Sequence, residues 1–195
     1  MDIRIVHRRG LDDILGNTEA QEESMPTITN SLVLAATNDA LHELDKNFSL
    51  PSLSSDKMSN SGWSCNYFAG ANLEFVETAS RGTQVQRNYG VDPSQWPDQF
   101  AAQTFVNFSM SFEVSGANHN FNVFFDAGGS AYLIQTYLDR SIRISTPQSA
   151  SEFVRQWKLL AGANWASAYE TLFYVRPPTQ NNKYTSQWVT VVTGS

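Results

Sequence analysis

The sequence predicts an α+β domain, with helices in the N-terminal half packed on an antiparallel sheet from the C-terminal half. Three observations lead there. Apolar residues recur at helical spacing before residue 80, and they alternate from Thr104 onward. A glycine-rich turn, Asp126-Ala127-Gly128-Gly129-Ser130, joins two alternating runs as a hairpin would. Helices first and strands afterwards is the order of an α+β chain rather than of repeated βαβ units.

Residues 1–30 are mixed and polar, read as an N-terminal extension or docking arm ending near Met25-Pro26. The single domain then spans 31–195. Leu41, Leu44 and Phe48 fall at i, i+3, i+7, predicting a helix over Asn38–Phe48 capped by Thr37 or Asn38. A serine-rich loop follows to Ser64. Phe68, Asn72, Phe75, Val76 and Ala79 share one face of a helix that opens at Cys65, capped by Ser61 or Ser64 and ended by Gly82. Residues 83–98 read as turns, punctuated by Asp92-Pro93 and Trp96-Pro97.

Strands are predicted over Thr104–Val114, His119–Phe125 and Ala131–Leu138, with Arg140–Ile144 extending the sheet. Phe153, Trp157 and Leu160 mark a helix over Ser149–Leu160. Tyr169–Val175 and Gln187–Val192 read as closing strands, separated by Pro177-Pro178.

Composition narrows the function. The 195 residues are 41% hydrophobic and 12% aromatic, enough for a sizeable core. Only 16% are charged and the net charge is −6, the opposite of a nucleic-acid footprint. No apolar run approaches the roughly 18 residues of a membrane span, and no apolar stretch of signal-peptide kind follows His7-Arg8-Arg9. The expected location is therefore cytoplasmic, or exported without a classical signal peptide. With one cysteine and three scattered histidines, neither a disulfide nor a thiolate zinc site is expected, and no cofactor-binding loop is present.

Cys65 is the residue with chemical potential. A free thiol is mostly protonated at neutral pH, and a helix N-terminus or a neighbouring imidazole favours the thiolate. The helix predicted to open at Cys65 offers the first device. The Cys65 N–H and the Asn60 side chain can hold an oxyanion, and Trp63 flanks the substrate side. His119 leads Phe121, Val123 and Phe125 on one face of a strand and is the expected base. Its orienting partner depends on the hairpin. A three-residue loop at Ala127-Gly128-Gly129 sets Phe121 opposite Gln135 and leaves Gln135 a diagonal neighbour of His119, roughly 7 Å away at Cβ. A loop of two or four residues turns Gln135 to the other face, and Asp139 is then the fallback orienter.

The order Cys65, His119, Gln135, with a cysteine opening a helix and the other two on successive strands, resembles the papain-like fold over roughly Asn60 to Leu138. The Cys-Gly-Ser-Cys-Trp stretch of plant-type members is replaced here by Gly62-Trp63-Ser64-Cys65. The resemblance implies a thiol protease, a glutamine deamidase or an acyl-transfer enzyme of the bacterial effector and toxin branches, acting on a protein or peptide substrate. A cognate partner protein fits that setting. The alternative reading is a non-enzymatic binding module, such as an immunity protein or adaptor. A third is a ligand-binding domain that uses the five tryptophans.

Overall fold

In the computed structural model, residues 27–47, 49–53, 59–60, 64–113, 118–177 and 184–194 are described, those at 59–60 by their backbone alone. In chain order the elements are α1 (Asn30–His42), β1 (Ser59–Asn60), α2 (Cys65–Ser80), β2 (Thr83–Tyr89), β3 (Thr104–Phe112), β4 (Asn118–Phe125), β5 (Ser130–Thr136), β6 (Ser141–Ile144), β7 (Gln148–Ser149), α3 (Ala150–Leu159), α4 (Trp165–Phe173) and β8 (Tyr184–Thr193). Seven strands lie side by side in the order β1-β6-β5-β4-β3-β8-β2, and β7 pairs with β5. Every described pairing is antiparallel. The chain is α+β, as its sequence predicts.

The alternation of β3 and β4 divides the core between the two faces of the sheet. Val106, Phe108, Met110, Phe121, Val123 and Phe125 face α3 and α4, where they meet Phe153, Trp157, Tyr169 and Phe173. Phe105, Phe124 and Ile134 face α1 and α2, where they meet Val33, Phe68 and Val76. Phe108 stacks on Phe121 at 4.8 Å across the β3–β4 pair and meets Trp157 edge-on at 5.2 Å. Such contacts add about 1 kcal/mol each to the burial of the rings.

Several elements differ from expectation. The first helix is Asn30–His42 rather than Asn38–Phe48, because Val33, Ala36, Thr37, Ala40 and Leu41 form a continuous buried stripe. Thr29 caps it by accepting from the Leu32 N–H at 3.2 Å, and Ile28 is fully buried, so the packed structure begins ahead of residue 31. Residues 1–26, including Met25-Pro26, lie outside the described residues, as do Phe48 and Val114. The segment read as turns contains β2, an edge strand exposed along nearly its whole length. The segment read as a strand at Tyr169–Val175 is mostly α4. Trp165, Tyr169, Leu172 and Phe173 are buried there at i, i+4, i+7, i+8, the helical period. Three of the tryptophans are core residues. Trp96 stacks on Trp157 at 4.6 Å, and Trp165 is 5% exposed.

The β4–β5 hairpin carries the register on which the site depends. The last pair is Phe125 with Ala131. Asp126 closes the loop: its N–H donates to the Ser130 carbonyl at 2.9 Å, and its carboxylate accepts from the Ser130 N–H at 2.8 Å. Gly129 takes φ +81°, a left-handed conformation that glycine adopts without a Cβ penalty. Three residues therefore bridge Asp126 and Ser130, and Phe121 lies opposite Gln135.

Candidate functional site

Cys65 is the first residue of α2, and Ser64 is its N-cap. The Ser64 side chain makes no capping bond, so it leaves the first-turn N–H groups of α2 available. These groups and the aligned peptide dipoles of a 16-residue helix favour negative charge at this end.

Polar side chains seat α2 on the sheet. Asn122 Nδ2 donates to the Ala69 carbonyl at 3.1 Å and to Asn107 Oδ1 at 3.2 Å, while Asn122 Oδ1 accepts from Asn72 Nδ2 at 3.2 Å. Thr37 Oγ1 donates to Asn72 Oδ1 at 3.1 Å, bringing α1 into the same buried network. Asn120 Nδ2 donates to Asn66 Oδ1. Asn66 and Asn72 of the helix thus meet Asn120 and Asn122 of β4. The first turn of α2 lies at the N-terminal end of β4, where His119 is the second residue.

His119 and Gln135 face the opposite side of the sheet from α2. Their side chains are joined, His119 Nε2 to Gln135 Oε1, at 3.1 Å. Gln135 Nε2 donates to the Phe173 carbonyl at 3.3 Å. Only the amide nitrogen can donate to a carbonyl, so Oε1 is the atom turned to the imidazole. An amide oxygen accepts, so His119 carries its proton on Nε2 and holds its lone pair on Nδ1. Aromatic rings enclose the imidazole: Phe121 stacks on it at 5.5 Å and Phe173 meets it edge-on at 4.9 Å. Burial in this setting lowers the His119 pKa from 6.5 to about 4, and the Gln135 hydrogen bond offsets part of that fall. His119 is therefore neutral at pH 7.

Of the residues singled out in the sequence, His119 and Gln135 are in direct contact, and Cys65 lies at the same end of the sheet. Among the described residues, Cys65 makes one hydrogen-bond contact, from Sγ to Asn66 Oδ1 at 3.9 Å, and none to His119. Asp139 does not reach the imidazole. Its carboxylate accepts from the Ser141 N–H at 2.9 Å and hydroxyl at 2.6 Å, and pairs with Arg143 at 3.4 Å. Those Ser141 bonds, with a smaller contribution from Arg143, hold its pKa below the ordinary carboxylate value. The backbone of Asn60 pairs with Ser141 in the β1–β6 ladder. The Asn60 side chain and Trp63 lie outside the described residues.

Three residues of the site escape a reading by sequence. Asn66 and Asn120 tie the cysteine end of α2 to the histidine end of β4, and the only signal is that each directly follows Cys65 or His119. Tyr169 is the other. Its ring lies 6.0 Å from the imidazole and 4.6 Å from Phe173, and its helix was expected to be a strand. Burial raises the Tyr169 pKa, with a smaller coulombic contribution from Cys65. A cavity of about 780 Å³ beside Asn164, Ser167 and Arg176 lies along α4, away from Cys65. Among the described residues no helix is long and apolar enough to cross a membrane. Compared with known proteins, the chain matches no family model, no curated protein and no solved structure.

Proposed function

We propose that this chain is a thiol enzyme that hydrolyses or transfers an amide or acyl group of a protein or peptide substrate, with a papain-like arrangement of Cys65, His119 and Gln135. The observation that carries the reading is the His119–Gln135 hydrogen bond. It holds a neutral imidazole in one tautomer, with Nδ1 as the basic nitrogen, at the end of the sheet where α2 presents its only thiol. A base fixed by a third group is the logic of nucleophile activation.

In this reading the Cys65 side chain turns from Asn66 toward Nδ1 when substrate binds. The thiol proton passes to Nδ1 as sulfur attacks the carbonyl carbon. The first-turn N–H groups of α2 hold the oxyanion. Collapse breaks the C–N bond, and the leaving amine or ammonia takes the proton from the imidazolium. Water then attacks the thioester, giving its proton to Nδ1; the acid departs and Cys65 returns to the thiol. An amine attacking in place of water gives acyl transfer.

A macromolecular substrate fits the surface around the site. Leu138 at 80%, Tyr67 at 73% and Tyr174 at 70% are the three most exposed large apolar side chains described. They belong to the β5–β6 turn, the first turn of α2 and the end of α4. The same rim favours the second reading, a non-enzymatic module that binds another protein there.

Alkylation of Cys65 by iodoacetamide, followed across pH, separates the two. An enzyme requires a thiol whose reactivity at neutral pH falls in His119→Gln. An ordinary thiol profile, unchanged by that substitution, leaves only the binding module.

A further inference from the structure

We infer that the Thr136 hydroxyl is a substrate-binding group: it donates to the carbonyl oxygen that Cys65 attacks, beside the first-turn N–H groups of α2. The inference rests on the reading of Cys65 as a nucleophile and deepens it by supplying a side-chain donor for the oxyanion.

Thr136 is the last residue of β5 and is 6% exposed. Among the described residues its Oγ1 is buried without a hydrogen-bond partner. A buried hydroxyl ordinarily finds one, so this donor is open to a ligand's acceptor. The register fixes where it points. Thr136 pairs with Ile142 of β6, and Ile142 and Ile134 pack in the α1–α2 layer. Thr136 therefore faces that layer, while Gln135 faces the other. With Phe121 opposite Gln135, the next position of the ladder sets Asn120 beside Thr136. Asn120 is bonded to Asn66, the second residue of α2, and the Cys65 sulfur lies 3.9 Å from Asn66 Oδ1. Thr136 thus lies on the sheet beneath the tip of α2 that carries the thiol. The Phe68 N–H, bonded to the Ser64 carbonyl at 3.2 Å, opens the helical ladder, and the N–H groups of Cys65 and Asn66 precede it. Tyr184 Oη and Gln187 Nε2, also buried without partners, face the α3–α4 layer instead.

Adjacent residues of β5 therefore serve opposite sides of the sulfur. Gln135 fixes the base that takes the thiol proton, and Thr136 meets the oxygen that gains the charge. As sulfur attacks, the carbonyl π pair moves to that oxygen, which accepts from Thr136 without taking its proton. A donor held on a strand and already stripped of water stabilises the charge without reorganisation. Leu138, two positions on, is 80% exposed, so the hydroxyl lies near the margin of the sheet rather than at its centre.

p-Nitrophenyl acetate acylates a thiol through a tetrahedral oxyanion, whereas iodoacetamide alkylates it with none, so the ratio of the two rates at Cys65 isolates the donor. Thr136→Val keeps the shape and removes the hydroxyl. With Cys65→Ala as background, this variant should release nitrophenolate at least about tenfold more slowly while its alkylation keeps the parent's rate. It should unfold in urea at the parent's midpoint or above, because no hydrogen bond within the protein is lost. Thr136→Ser should restore acylation. An unchanged ratio overturns the inference, whether both rates hold or both fall together. His119→Gln, alkylated alongside across pH, keeps the two ideas apart. If it alkylates like the parent while the Thr136→Val ratio falls, the oxygen-binding role stands and the enzyme reading falls. If it slows and the ratio holds, the enzyme reading stands and the role of Thr136 falls.

Discussion

His119 Nε2 and Gln135 Oε1 lie 3.1 Å apart, and the other end of the same amide donates to the Phe173 carbonyl. The second bond dictates the direction of the first, and that direction dictates the tautomer. Nitrogen NMR of the imidazole should show a neutral ring protonated at Nε2 throughout the neutral range, titrating near pH 4. In Gln135→Glu a carboxylate replaces the acceptor, which favours the imidazolium, so the titration should move upward. A His119 signal protonated at Nδ1, or one titrating near 6.5, would contradict the arrangement.

The depressed pKa of His119 has a consequence for stability. The unfolded chain takes up the proton near pH 6.5, the folded chain only near pH 4, so between these values the unfolded state binds more protons. The stability contributed by the neutral buried ring is present above pH 6.5 and is lost as pH falls toward 4. The gap corresponds to about 3 kcal/mol. Urea unfolding at pH 7 and pH 4 should show the parent losing about that much more than His119→Gln, in which no group titrates at this position. Equal losses in the two proteins would mean that His119 is hydrated in the folded state.

How far the sequence reaches is clear from particular elements. Strands β3 and β4 show a period of two because one face is apolar, at Val106, Phe108, Met110, Phe121, Val123 and Phe125, while the other carries the polar Asn107, Ser109, Asn120 and Asn122. The glycines marked the hairpin but left its loop at two, three or four residues; the positive φ of Gly129 and the Phe121–Gln135 pairing select three, and with it the side of the sheet on which Gln135 stands. Strand β2 left no trace. As an exposed edge strand it needs no apolar alternation, and Thr83-Gln84-Val85-Gln86-Arg87-Asn88-Tyr89 reads as polar loop. Helix α4 was misread because its aromatic residues suit a strand equally well by propensity. The period of Trp165, Tyr169, Leu172 and Phe173 decides for helix, and missing it hid Tyr169. Asn66 and Asn120 lie 54 positions apart, and nothing in either residue's own neighbourhood announces a partner so distant.

The buried asparagines should be more sensitive than their polarity suggests. Asn122 makes three side-chain hydrogen bonds, to Ala69, Asn107 and Asn72, and is fully buried. Asn122→Ala leaves several buried groups without partners, at about 1–3 kcal/mol for each that cannot relax. A loss of about 3 kcal/mol in urea unfolding is expected. Because this network sets the seat of α2, the rate of Cys65 alkylation should change as well. A variant that is destabilised but alkylates like the parent would separate the seating of α2 from the chemistry at its tip.

Two glycines give a contrast that tests the hairpin. A Cβ at Gly82, just past α2, would lie 2.4 Å from the Thr193 carbonyl oxygen, and a backbone atom cannot move aside as a side chain would. At Gly129 a Cβ meets nothing within 4 Å, so the only cost of a side chain is the positive φ. Gly129→Ala should therefore cost about 1–2 kcal/mol, the ordinary penalty for an L-residue in the left-handed region. Gly82→Ala should cost more, since β8 must shift against α2. The hairpin variant should also keep Phe121 opposite Gln135, because slipping by one residue would turn every side chain of β5 to the wrong face. Amide NMR contacts across β4 and β5 report this directly. Unchanged contacts with a lower unfolding midpoint are expected, whereas a shifted register would break the His119–Gln135 bond and show in the imidazole titration.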